Sequence, residues 1–478
     1  MSKPFDSTTF TLPVRTSDLL SGSVLANTVA LEQRHGNTEL ITLLDLLGIG
    51  GPFTVESPWE LRDEEGRHLI HAGGYAAVPF GEKYPPLMNF LTEYLEQGTQ
   101  LGLPQQSASE WRAALETNLI ALLAAVAPSH ADSGVFFGSS GAEANEVAMK
   151  MARANRPGRT GFINFTSAYH GKTFGALSVT PNPEYQDLFK PFGPQVFTVP
   201  YGDANALEDV LRKEAHNVSA IIVEPVQGEA GVIIPPQGFL ADVGKLAKQY
   251  DVLVIADEIQ SGLGRVGELF ASVAAGLEPD IITLAKPLSG GVVPLSATIG
   301  RRELYRTFLP GISSKRHSTT FGGNSLAMAA GVKALELIVN ESLVERAKKN
   351  GQYGVQRLSV LKEKYPKLIA DVRGRGMLFA LVLQPPVGMK IPGVSTDDVQ
   401  MLGSALGLRA MQHAGVHGCY SINSNRIIRL TPPLTMPEHL FTEMFDRIDQ
   451  MAKDNQSSFA LLRKFPLPRL LKLAKLAL

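Results

Sequence analysis

Cysteine is almost absent from this chain. Cys419 is the only one in 478 residues, which excludes an intrachain disulfide framework and suits a reducing compartment. Long apolar runs are missing too. The longest, 119–127, falls well short of the roughly 20 residues needed to cross a bilayer, so it reads as a buried helix segment. The first twenty positions hold Asp6 and Asp18 among serines and threonines in place of the apolar stretch of a secretory signal, so the expected location is cytoplasmic. Neither sign of charge dominates. Lys plus Arg number 45 against 46 Asp plus Glu, a net charge of -1, which leaves no field to draw a polyanion, and nucleic acid is not an expected partner. Internal repeats and low-complexity tracts are lacking as well, and no residue set is assigned to a metal. At 51.5 kDa the chain exceeds one simple core, and two or three structural units are expected.

What is present has order. Over 135–297, short β-branched runs alternate with longer helical patterns, which predicts an α/β unit of repeated βαβ elements around a mostly parallel sheet. The runs at 220–223 and 252–256 are apolar throughout, as strands covered on both faces should be, and each leads into a carboxylate, Glu224 or Asp257. In such sheets ligands bind beyond the carboxyl ends of the strands, so both acids point toward one candidate site. Positions 59–70 read as a hairpin with a polar turn, 325–364 as long amphipathic helix, and 377–383 as a strand of a second, smaller α+β domain.

Three features carry chemistry. Phe136-Phe-Gly-Ser-Ser-Gly-Ala-Glu-Ala-Asn-Glu146 is a strand end, a small-residue turn and a helix start; free amides at the positive end of a helix make an anion site, although a plain Ser/Gly cap reads equally well. Asp257 ends an apolar strand, and Lys286 follows some thirty residues on. Singly they read as a cap and a solvated loop lysine. Together they invite a pyridine-ring cofactor, with lysine forming an imine and aspartate keeping the ring nitrogen protonated.

With these residues stand Tyr169-His-Gly-Lys-Thr173, Glu224-Pro-Val-Gln-Gly-Glu-Ala-Gly231, His317-Ser-Thr-Thr-Phe-Gly-Gly-Asn324 and Arg429-Leu-Thr-Pro-Pro-Leu434. In order and spacing the set resembles the class III aminotransferases, from about Trp59 to about Ala452. The resemblance implies a pyridoxal 5'-phosphate enzyme of fold type I. Lys286 would be the Schiff-base lysine and proton shuttle, and Asp257 the partner of the pyridine nitrogen. Tyr169 would stack on the ring, Gln260 would contact its phenolic oxygen, and Gly141 and Ala142 would offer backbone amides to the phosphate. Ser140, His170 and Glu224 complete the expected cofactor shell. Thr320 would reach the phosphate of a neighbouring subunit, which requires a homodimer. Glu229 and Arg429 would form a gate over the site. The implied division is an N-terminal extension (1–50), the first part of the small domain (51–90), a large cofactor-binding domain (91–325), the rest of the small domain (326–452) and a tail (453–478).

Several positions depart from the family pattern: Ala142 stands where a threonine is frequent, Pro287 follows the lysine, and Glu82 replaces a histidine. Tyr75 falls where the ornithine enzyme touches the substrate's α-carboxylate. Lys172, however, replaces the arginine of the ornithine and acetylornithine enzymes, which exchanges a bidentate fork for a single flexible charge. The motifs resemble those of putrescine aminotransferase more closely. The expected reaction moves the terminal amine of a diamine or ω-amino acid to 2-oxoglutarate; ornithine, acetylornithine, lysine and 4-aminobutyrate remain alternative donors, and an aminomutase or racemase an alternative chemistry. The tail carries Arg463, Lys464, Arg469, Lys472 and Lys475 among leucines, which suits weak contact with a membrane surface or docking on the protein itself.

Overall fold

The computed structural model describes residues 14–21, 28–47, 49–97, 107–385, 396–421 and 423–466, with positions 468, 469 and 472. Strands β1 (Thr54–Ser57), β2 (Glu60–Arg62) and β3 (His68–His71) run antiparallel in sequence order. The polar turn expected between β2 and β3 is closed by Asp63, whose Oδ1 accepts the amides of Glu65 at 3.1 Å and Arg67 at 2.9 Å.

Next come β4 (Gly134–Gly138), β5 (Gly161–Phe165), β6 (Val196–Val199), β7 (Val218–Val223), β8 (Leu253–Asp257), β9 (Ile281–Leu284) and β10 (Ser296–Gly300). They form one sheet in the order β4-β10-β9-β8-β7-β5-β6, parallel from β9 to β6, with β10 antiparallel to both of its neighbours. The expected mostly parallel sheet is therefore present. Its apolar strands follow from cover on both faces. Along β7, Ala220 and Ile222 pack with Val147 and Met151 of the helix Gly141–Asn155, while Ile221 and Val223 belong to the opposite core with Phe239 and Val243 of the helix Phe239–Gln249.

The remaining strands, β11 (Ile369–Arg375), β12 (Leu378–Leu383), β13 (Val416–His417), β14 (Cys419–Ser421) and β15 (Ser424–Leu430), build the smaller unit. Four of them make an antiparallel sheet in the order β11-β12-β15-β14, whereas β13 pairs in parallel with β3 and so ties the first hairpins to this end of the chain. The long helix expected over 325–364 is two helices, Ser325–Asn340 and Leu343–Lys364, because Ser342 takes a left-handed backbone (φ 49°) between them. Residues 40–47 of the N-terminal extension are helical, within Thr38–Leu47.

Among the described residues no helix is long and apolar enough to cross a membrane. The tail begins with a short helix, Ser458–Arg463, whose Leu461 is buried, as is Phe465 just beyond it, against the helices Thr396–His413 and Glu438–Asn455. Lys475 lies outside the described residues. This part of the tail docks on the protein itself. Burying a leucine and a phenylalanine contributes about 1.5–3 kcal/mol each, so a chain ending at Gln456 is expected to lose roughly 3 kcal/mol or more and to melt earlier in calorimetry. An unchanged melting temperature would show that the docking adds nothing.

Candidate active site

The carboxyl ends of β4, β7, β8 and β9 meet at one edge of the large sheet, where a cavity of about 570 Å³ opens. Ser139, Ser140, Gly141 and Ala142 line one side, and Tyr169, His170, Glu224, Asp257, Gln260 and Lys286 also face it. Ser140 caps the helix Gly141–Asn155, its Oγ accepting the Glu143 amide at 3.2 Å. The amides of Gly141 and Ala142 are first-turn donors with no carbonyl four residues back to bond. Both sides of this corner are small: a Cβ at Gly171 would stand 2.6 Å from the Ala142 methyl.

Asp257 ends β8 in a buried position. Its Oδ2 accepts from His170 Nδ1 at 2.7 Å and from Asn145 Nδ2 at 2.8 Å, and its Oδ1 accepts the Ile259 amide at 3.1 Å. Asn145 also receives a bond from Thr283 Oγ1, so three elements fix the carboxylate. Sequence reasoning assigned Asn145 no role. Its one available signal was a polar residue on an otherwise apolar helix face. Glu224 accepts the Tyr169 amide at 3.1 Å; burial first, and then the nearby Asp257 charge, push its pKa well above the usual carboxylate range.

The second half of the site is a buried ion pair. Arg429, on β15 between β12 and β14, places Nη2 2.8 Å from Glu229 Oε2, and both side chains are almost wholly buried. Gln260 spans the pair, donating Nε2 to Glu229 Oε1 at 3.2 Å and accepting Arg429 Nη1 on Oε1 at 3.1 Å. Glycine at 228 lets the glutamine approach this closely: a Cβ there would lie 1.2 Å from Gln260 Oε1 and would displace it from the pair. Lys286 Nζ lies 3.9 Å from Glu229 Oε1. Burial lowers the lysine pKa, Glu229 works against that shift, and the Arg429 charge adds to it.

Tyr75 lies outside the cavity wall, its ring 5.6 Å from the Arg429 guanidinium and edge-on to Tyr420. Lys172 is exposed at the wall, its ammonium 3.7 Å from the centre of the Tyr185 ring. Thr320 is exposed and not part of the cavity. Glu82, which had no account from sequence, lies 3.5 Å from His71 Nε2, and this contact lowers the Glu82 pKa. Also unforeseen was Asn423, whose Nδ2 donates to the carbonyls of Ser167 and Ala168 and whose amide donates to the Glu229 carbonyl. Nothing in its sequence context marks it.

The sequence pattern of the family described as Aminotransferase class-III matches residues 56–452. An acetylornithine aminotransferase of Methanopyrus kandleri is 39% identical over 325 residues, 67% of this chain and 77% of that protein. Among solved structures, an ornithine aminotransferase of Toxoplasma gondii with partial occupancy of pyridoxal phosphate at its active site superposes with a TM-score of 0.76 at 26% identity, covering 95% of this chain and 99% of that one. An (S)-enantioselective omega-transaminase of Thermomicrobium roseum superposes with a TM-score of 0.78 at 27% identity, covering 91% and 98%.

The raised Glu224 pKa has a thermodynamic consequence. A carboxyl whose pKa is higher in the folded chain than in the unfolded one opposes folding once it must ionise, and this penalty disappears as the pH falls toward the ordinary range near 4.5. Glu224→Gln keeps an acceptor for Tyr169 and carries no charge. Its melting temperature is expected to exceed the parent's at pH 8 and to converge on it near pH 4.5. A difference independent of pH would show that Glu224 titrates normally.

Proposed function

This chain belongs to the class III aminotransferases, a family that depends on pyridoxal phosphate, and from that premise we propose that it transfers the terminal amino group of a diamine or ω-amino acid to 2-oxoglutarate, giving an aldehyde and glutamate. The observation that carries this reading is the buried Glu229–Arg429 pair beside Lys286. A donor of this kind brings no carboxylate to its reacting end, whereas 2-oxoglutarate brings one next to the reacting carbon. One pocket must be neutral for the first and cationic for the second. While Glu229 covers Arg429 the wall is neutral; once the pair opens, Nη1 and Nη2 can hold a carboxylate bidentately.

The residues present fit the cofactor. The unbonded first-turn amides of Gly141 and Ala142, capped by Ser140, suit its phosphate. Asp257, oriented by Asn145 and His170, would face the ring nitrogen, Tyr169 the ring, and Gln260 its phenolic oxygen, with Glu224 behind Tyr169. When bound, pyridoxal phosphate supplies an aldehyde that takes up and returns the amino group, and a ring that accepts the electrons left when a proton departs. Lys286 Nζ is the group that moves that proton. Its lowered pKa makes it a better base near neutral pH than an exposed lysine. A second copy of the chain would bring Thr320 to this phosphate; Ile312 and Phe321, both strongly exposed on the same segment, suit being covered in such a homodimer.

A donor bearing a carboxylate at its far end, such as acetylornithine, ornithine, lysine or 4-aminobutyrate, is the second reading. The exposed Lys172 ammonium favours it, because a second cation on a diamine is repelled there. A panel of amines assayed for glutamate formation from 2-oxoglutarate distinguishes the two, and no glutamate from any of them would overturn both.

Two results are expected of variants. Lys286→Ala loses turnover by several orders of magnitude, since amine exchange and proton transfer use one nitrogen; near-normal turnover would end the proposal. Charged hydrogen bonds contribute about 1.5–3 kcal/mol, so Arg429→Ala slows the 2-oxoglutarate half-reaction roughly ten- to a hundredfold and the amine half-reaction less. Glu229→Ala does the reverse and lets glutamate compete with terminal amines. Single-turnover spectra of each half-reaction check this, and equal losses in both halves would indicate a static pair.

A further inference from the structure

A second cavity, of about 450 Å³, lies between the helices Thr396–His413 and Glu438–Asn455 and the short helix Ser458–Arg463. It shares no residue with the cavity at the carboxyl ends of the large sheet. Its volume falls in the range of small-molecule sites, roughly 300–1,000 Å³. Leu406, Met451, Leu461 and Phe465, all buried, give it an apolar floor. Arg409, Arg447 and Lys464 stand around that floor, with Asp454 as the one carboxylate among the lining residues.

These cations are not balanced by their neighbours. Arg447 is paired with Glu443 at 2.7 Å. Arg409 and Lys464, in contrast, each donate to a carbonyl, of Leu47 at 3.0 Å and of Asp454 at 2.7 Å, and among the described residues neither is in an ion pair. The Asp454 carboxylate accepts from Gln450 Nε2 at 2.8 Å. The rim is electropositive: burial first, and then the Arg469 charge, lower the Arg409 pKa against the pull of Glu65, while burial and the Arg67 and Arg409 charges lower that of His413 on the same wall. Guanidinium and ammonium groups with donors to spare bind an anion through charge-assisted hydrogen bonds. An apolar floor beside them gains by taking a hydrocarbon chain out of water. Phe465 joins the two surfaces, the centre of its ring lying 5.3 Å from the Arg409 guanidinium.

We propose that this cavity is a binding site for a small amphiphile with an anionic head, a medium-chain carboxylate, whose head is held by Arg409 and Lys464 and whose chain lies on Leu406, Met451, Leu461 and Phe465. Its occupant differs in kind from the substrates of the other cavity. Because the floor is shared between the tail helix and the two longer helices, a ligand seated there fastens the tail to the smaller unit and raises the melting temperature by mass action.

The test is calorimetric titration of straight-chain carboxylates into the holoenzyme. Octanoate is expected to bind with a Kd of about 1 mM or tighter, hexanoate about fourfold more weakly per methylene removed, and acetate and octylamine not at all. Arg429→Ala should leave octanoate binding intact, which separates this site from the other cavity. Replacing both Arg409→Gln and Lys464→Gln should weaken it at least about tenfold. Ala410→Leu keeps every charge but narrows the cavity that Ala410 lines, and should weaken octanoate while leaving the melting temperature of the free enzyme unchanged. The site is overturned if octanoate fails to bind in the millimolar range, if octylamine binds as well, or if binding is lost in Arg429→Ala and kept in the cavity variants. Sedimentation with anionic phosphatidylglycerol vesicles without binding of free octanoate would assign the cations to a membrane surface and overturn it too.

Discussion

Three carboxylates, Glu224, Glu229 and Asp257, line one cavity with Lys286, Arg429 is buried against Glu229 beside it, and the surrounding structure is arranged to keep that cluster compensated. Ionised groups withdrawn from water are costly unless each is paired and hydrogen-bonded. The site meets that demand group by group. Asp257 has three donors, Glu224 has the Tyr169 amide and a pKa that burial drives upward, and Glu229 is divided among Arg429, Gln260 and Lys286.

Both units of the fold are needed to assemble it. The large sheet presents Asp257, Glu224 and Lys286 from neighbouring strand ends, whereas Arg429 comes from the smaller sheet. Arg265 joins the two. Its fully buried guanidinium donates to the carbonyls of Met377 at 3.0 Å and Pro432 at 2.6 Å, bracketing the strands of which one carries Arg429. With carbonyls and no carboxylate as its partners, its pKa is lowered by burial to about 9. The guanidinium thus bridges the two units close to the strand that carries Arg429.

Lys286 is also held by its neighbours in sequence. Its backbone φ of 38° lies in the left-handed region, a strain of order 1–3 kcal/mol for a residue other than glycine. Pro287 costs no hydrogen bond there, because it stands at the start of the short turn Lys286–Ser289, where its missing amide is not required. Leu288, fully buried in the following position, anchors the turn in the core.

The alternation of β-branched runs and helical patterns was enough to predict a mostly parallel sheet, because covered strands must be apolar on both faces. Carboxylates at the ends of such strands were enough to bring Glu224 and Asp257 to one cavity, because strand ends on one edge of a parallel sheet face the same way. The helix start at Ser140 and the conjunction of Asp257 with Lys286 were likewise local chemistry, written within a few residues. The break at Ser342 was not legible, since no glycine or proline marks it and the hydrophobic pattern continues across it. Nor were Asn145, Gln260 as a bridge within the ion pair, or Asn423 as a clamp on Glu229. Each role is a distance between residues 25 to nearly 200 positions apart. Periodicity fixes which way a side chain faces along its own element; which side chains meet across a cavity is decided only when the sheets pack, and here that packing sets a carboxylate between two cations.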